Sequence, residues 1–158
     1  MTARVDFYIL SSATAQQRFN FACRLTEKAY LRDLKVVVLC EAAGDAQAID
    51  DLLWTFNERS FVPHEIFREG GARDAAATAA AAPVQLTADL QGVGEADLLI
   101  NLSVELPAGL DRFSRVAEVI DADDDRRRRG RERFKAYREM KLPLETHQLS
   151  DTADVLSP

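Results

Sequence analysis

The chain has 158 residues, 47% hydrophobic and 29% charged, with a formal net charge of −6. That balance suits one globular domain with a sizeable core and excludes a disordered or collagen-like chain. No apolar run approaches the ~20 residues of a membrane span, and the opening MTARVDFYIL lacks the regions of a secretion signal, so a cytoplasmic location is expected. Cys23 and Cys40 sit apart on elements that read as buried, which fits reduced core thiols better than a disulfide.

Residues 5–10 (VDFYIL) are β-branched and aromatic and predict a buried strand. The hydroxyls of SSAT at 11–14 are placed to cap a helix over 15–31, where Ala22, Leu25 and Ala29 recur at helical spacing. A short apolar strand is predicted at 35–39 (KVVVL), then a helix over 46–56 with Ala48, Leu52 and Phe56 on one side. Strands alternating with helices predict an α/β fold: one Rossmann-like domain, its sheet mainly parallel with helices on both faces. Residues 57–67 (NERSFVPHEIF) read as an aromatic, turn-like stretch, in which Pro63 holds Val62 extended. Residues 69–83 are Ala-rich, bounded by Gly70, Gly71 and Pro83, and read as a surface excursion. Further strands are expected at 84–86, 96–101 and 115–120, with a short helix at 106–113 opened by Pro107. The domain is expected to span 1–150, with 151–158 a frayed polar tail.

The last predicted helix, 124–140, carries the strongest signal. Residues 126–138 (RRRRGRERFKAYR) hold eight cations and one acid, a net +7, which leaves −13 for the rest of the chain. A basic block on an acidic protein is a local device. Asp123, Asp124 and Asp125 precede it, in the order a helix dipole favours, and sit i,i+4 from Arg127, Arg128 and Arg129. Gly130 costs such a helix ~1 kcal/mol relative to Ala. Arg127, Arg131, Phe134 and Arg138 share one face. That face is either a solvated surface with Phe134 and Tyr137 turned inward, or a receptor for an anionic partner.

Catalytic and cofactor signatures are missing from the sequence. The first strand-to-helix turn, LSSATAQQ, has no glycine to let a backbone approach a phosphate, and neither GxGxxG nor GxxxxGK[ST] occurs. There is no GxSxG elbow. His64 and His147 lack neighbours at metal-ligand spacing, and Ser60 lies four residues from His64 by coincidence. The acids 123–125 read as a helix start facing its own arginines, not as a metal site. The expectation is no enzyme, no cofactor and no metal.

DFYIL at 6–10, LLWTF at 52–56, SFVPH at 60–64 and RERFKAYR at 131–138 together resemble, in order and spacing, the chi subunit of bacterial DNA polymerase III holoenzyme. The resemblance runs from about residue 5 to about residue 147. It implies a Rossmann-like, non-catalytic clamp-loader accessory protein that holds the acidic C-terminal tail of single-stranded DNA-binding protein and joins the psi subunit. Position 134 is Phe where related proteins often carry Tyr, which keeps an aromatic wall without the hydroxyl. The chemistry of the residues agrees: an acidic tail with an apolar, carboxylate-bearing end needs a guanidinium fork, an apolar wall and basic neighbours. Arg131 is expected to hold the terminal carboxylate, Phe134 and Ile120 to flank the apolar side chain, and Arg127, Lys135 and Arg138 to meet the acids. Trp54, Phe61, Val62 and Pro63 are expected to meet psi, with ordinary core packing the competing reading for Val62 and Phe56.

Two other functions compete. Direct nucleic-acid binding by the arginine helix is opposed by the −13 remainder and by the lack of a second basic element or stacking platform. A small enzyme on a Rossmann-like sheet is opposed by the glycine-free first turn.

Overall fold

The computed structural model describes residues 2–56, 61–67 and 82–149. The expectations for Ser60, for most of the Ala-rich segment and for the tail 151–158 lie outside them.

Among the described residues, seven strands form one sheet, every pair parallel: β1 (Arg4–Leu10), β2 (Val36–Leu39), β3 (His64–Ile66), β4 (Val84–Thr87), β5 (Ala96–Asn101), β6 (Phe113–Ile120) and β7 (Leu144–Leu149), in the order β3-β4-β2-β5-β6-β1-β7. Alternation within the strands divides the core. Val36, Val38, Leu98, Ile100, Ala117 and Val119 pack beneath α1 (Ala15–Leu31) and α2 (Ala43–Thr55). Val5, Phe7, Val116 and Ile120 face the other way, where Tyr137 and Phe134 of α3 (Asp124–Glu139) meet them. The Rossmann-like α/β expectation holds. Thr14 caps α1 by accepting from the Gln17 amide at 3.2 Å. Cys23 and Cys40 are free and buried, and burial pushes both thiols up to about 12.

The structure corrects the sequence at three places. Residues 106–113 form no helix beyond a single 3-10 turn at Leu110–Arg112, entered through left-handed Gly109, and Phe113 already belongs to β6. His64–Ile66 is a strand inside the stretch read as a turn; three residues after a proline at a sheet edge leave no periodic signal. The basic helix does not close the fold. The chain returns as β7, paired with β1, and LETHQL is too polar to register as a strand because its outer edge is open and its pattern only half-buried.

A groove between the basic helix and the edge strand

The helix α3 starts where β6 runs out. Asp123 caps it, accepting from the Arg126 amide at 2.9 Å, and Asp124 and Asp125 lie in its first turn. A buried carboxylate on β6 clamps it to the sheet. Glu118 Oε1 accepts from Nε of Arg133 at 3.1 Å, and its Oε2 accepts from the Tyr137 hydroxyl at 2.6 Å and from the Asn101 amide at 2.9 Å. Arg133 is 5% exposed and also donates to the Val104 carbonyl at 2.9 Å. Every member of this network is paired, as a dry site requires. Burial and the adjoining Glu118 charge push the Tyr137 hydroxyl far above its usual range, so it stays a donor. In the sequence Arg133 is one of the eight cations of residues 126–138, with nothing to set it apart. The overlooked signal was Glu118, an acid inside an apolar strand that had to find a cation.

Gly130 explains itself in the same region. A Cβ there would stand 2.3 Å from Cδ1 of Ile120 and 3.3 Å from its Cγ1. The glycine lets α3 settle onto β6 at that point.

The cations of α3 are sorted by their partners. Arg126 reaches Asp121 and Glu41, both at 3.4 Å. Arg128 pairs with Asp125 at 2.6 Å and Glu132 at 3.4 Å, Arg129 with Asp125 at 3.1 Å, and Arg133 with Glu118. Of the three expected i,i+4 pairs, Asp125–Arg129 forms. Asp123 serves as the cap, and Arg128 turns from Asp124 to Asp125 and Glu132. That leaves Arg127, Arg131, Lys135 and Arg138 with no carboxylate partner among the described residues. Arg127 is held by carbonyls, Asp121 at 3.3 Å and Leu10 at 3.4 Å. Arg131, exposed, has no hydrogen-bond or ion-pair partner among the described residues.

Beside Arg127 and Arg131 lies a cavity of about 290 Å³. Its apolar lining is Phe7 and Ile9 of β1, Ile120 of β6 and Phe134 of α3, and Thr146 and Gln148 of β7 form its outer wall. Phe134 stands edge-on to Phe7, ring centroids 5.2 Å apart. Ile120, Arg127, Arg131 and Phe134, named from sequence, therefore meet at one site. Lys135 and Arg138 are exposed on α3 and do not line the cavity. The sequence did not name Phe7, Ile9, Thr146 and Gln148; the last two sit on the strand it missed.

A second feature lies at the far end of the sheet. Trp54 and Phe61 are 54% and 62% exposed, with ring centroids 5.4 Å apart, and Trp54 stands 4.8 Å from the His64 ring. Pro63 is partly buried next to them. Val62 is 1% exposed and packs in the core, so it underlies this patch and forms no part of its surface.

On the α1 face, Asp6, Glu145 and His147 bring ligand-type atoms within 4.8 Å of one another. Arg4 and Arg115 already hold the two Asp6 oxygens, at 2.7 and 2.8 Å, and a cation would have to displace them.

The family described as DNA polymerase III chi subunit, HolC, matches residues 1–145. The DNA polymerase III subunit chi of Pseudomonas aeruginosa is 38% identical over 151 residues, covering 92% of this chain and 96% of that protein. The chain belongs to the DNA polymerase III chi subunit family. The chi subunit of Escherichia coli is 27% identical, across 89% of this chain and 94% of its own length. Among solved structures, the crystal structure of T4 UvsW superposes with a TM-score of 0.67 at 10% identity, covering 96% of this chain and 42% of that one. At that identity the likeness is one of fold alone. Among the described residues, no helix of this chi-family chain is long and apolar enough to cross a membrane.

Proposed function

We propose that this protein is a non-catalytic, cytoplasmic accessory subunit of the DNA polymerase III holoenzyme. It holds the acidic C-terminal tail of single-stranded DNA-binding protein in the α3 groove and joins the psi subunit through the Trp54–Phe61 patch. One observation carries the tail-binding reading: nearby carboxylates neutralise Arg126, Arg128, Arg129 and Arg133, while the Arg131 guanidinium, without a partner among the described residues, stands over an apolar cavity. An apolar side chain fills such a space while its carboxylate takes the fork. Arg127 then receives a preceding acid, and Lys135 and Arg138 extend the positive field along the helix. The exposed aromatic pair supports the second contact, since aromatics concentrate at interface centres.

Isothermal titration with a tail peptide tests it. Arg131→Ala removes a charge-assisted contact of ~1.5–3 kcal/mol, or roughly tenfold to a hundredfold in affinity. Arg131→Lys also weakens binding, because an ammonium cannot reproduce the fork. Arg129→Ala, which frees an exposed pair with Asp125, changes little. Equal affinities for the wild type and a folded Arg131→Ala would refute the site. Tighter binding of labelled single-stranded DNA than of the peptide, in the same salt, would favour the nucleic-acid reading instead.

A further inference from the structure

β7 is an edge strand, and its direction and register decide which of its backbone groups are free. It runs parallel to β1, Val5 opposite Leu144 and Phe7 opposite Thr146, and the ladder opens with the Val5 amide donating to the Pro143 carbonyl at 2.9 Å. In a parallel ladder alternate residues turn their N–H and C=O to the same neighbour. Glu145, His147 and Leu149 therefore spend theirs on β1, and Leu144, Thr146 and Gln148 point theirs outward. Among the described residues no strand lies beyond β7. Edges are commonly blunted by charge or proline at the outward positions. Here no proline lies within the strand, Pro143 preceding it, and the residues with outward backbones are uncharged.

Thr146 and Gln148 play two parts at once. Their backbones face the open edge, and their side chains line the outer wall of the cavity. Neither the Thr146 hydroxyl nor the Gln148 amide has a hydrogen-bond partner among the described residues. The edge thus continues the cavity, flanked by Arg127 and Arg131 on the helix side.

We propose that the acidic peptide is received as an added strand on β7, its backbone pairing with the outward groups of Thr146 and Gln148 while its apolar end turns into the groove. This rests on the peptide-binding reading above and deepens it. Strand addition draws affinity from main-chain bonds and specificity from alternate side chains. The charges on the two faces of β7 fit that alternation. Side chains on the groove face meet Arg127 and Arg131, which have no carboxylate partner among the described residues. Those on the opposite face meet His147 and Glu145, whose carboxylate Arg4 holds at 2.8 Å. A carboxylate on the first face is attracted and one on the second gains little, so acids at alternate positions matter unequally.

The test uses the full chain and a short synthetic peptide of the acidic tail from the same organism's single-stranded DNA-binding protein. Backbone nitrogens of the peptide are methylated one at a time. Those that donate to β7 should lose roughly threefold to tenfold in affinity, one hydrogen bond each, and the nitrogens between them should lose none. The Thr146 and Gln148 amides of the protein should slow in hydrogen exchange when the peptide is added. Uniform tolerance of methylation with unchanged exchange at Thr146 and Gln148, while Arg131→Ala still weakens binding, would overturn strand addition and leave the groove reading standing. A peptide that binds in no form would overturn both.

Discussion

Gly130→Ala separates what the fold requires from what the groove requires. The added methyl would stand 2.3 Å from Ile120 Cδ1, against the ~3.5–4.0 Å of an ordinary carbon contact, so one group must move by more than ~1 Å. Overpacking of this kind costs ~1–3 kcal/mol, and replacing a mid-helix glycine returns ~1 kcal/mol. The net loss of stability is therefore small, roughly 0–2 kcal/mol. The clashing atom is the free end of a side chain that borders the cavity. Its way out is to rotate into that space, which removes room for the ligand's apolar end. Losing the burial of one methyl group costs ~0.8 kcal/mol, about fourfold in affinity. Urea titration and isothermal titration with the tail peptide read the two effects separately. The double variant Gly130→Ala, Ile120→Val lacks the clashing Cδ1 and should recover stability beyond the sum of the single effects. If Gly130→Ala alone gains the full ~1 kcal/mol and binds peptide like the wild type, α3 does not lie against Ile120 as described.

Glu118→Gln leaves the Arg133 guanidinium buried without its counter-charge and should cost about 3–5 kcal/mol in urea unfolding; a loss under about 1 kcal/mol would mean that water reaches Arg133. Burial tends to raise the Asp6 carboxyl, but hydrogen bonds from Arg4, Arg115 and His147 outweigh it and hold the group below its ordinary value of 3.8. A lowered folded value contributes stability that is present above pH ~4 and lost as the pH falls through the folded value. Asp6→Asn should therefore flatten the acid limb of the stability curve, and an unchanged limb would assign it to other carboxylates. Phe61→Asp, at an exposed position, should shift stability by no more than about 0.5 kcal/mol and spare peptide binding, yet abolish copurification with psi; an unfolded variant would show that Phe61 serves the core.

Periodic burial made most of the fold legible. The run of valines in β2 and the apolar face of α1 state their environment outright, and α1 falls at the residues its spacing indicated. The edges did not, because an edge strand is short or half-solvated and its pairing lies in register, not composition. The site divides on the same line. Arg127, Arg131 and Phe134 share a helix face that arithmetic finds, whereas Phe7 and Thr146 reach the groove through strand order, which a single sequence does not display. The sorting of the arginines was legible only in part. Local spacing gives Asp125–Arg129, but Arg133–Glu118 spans a strand and a helix.

The place of β1 between β6 and β7 sets a timetable for folding. The first strand of the chain waits for the two described last, with Arg4 opposite Arg115 and Val5 opposite Leu144. Contacts so distant in sequence close large loops and slow the search for the native state. During synthesis β2, β4 and β5 can pair as soon as they emerge, but Phe7 and Ile9 have no neighbour on either side until the C-terminal third is made. The groove draws its floor from β1 and β6 and its outer wall from β7, so a product that ends after α3 carries the arginines without the wall of Thr146 and Gln148. Chain completion is then a precondition for a formed groove.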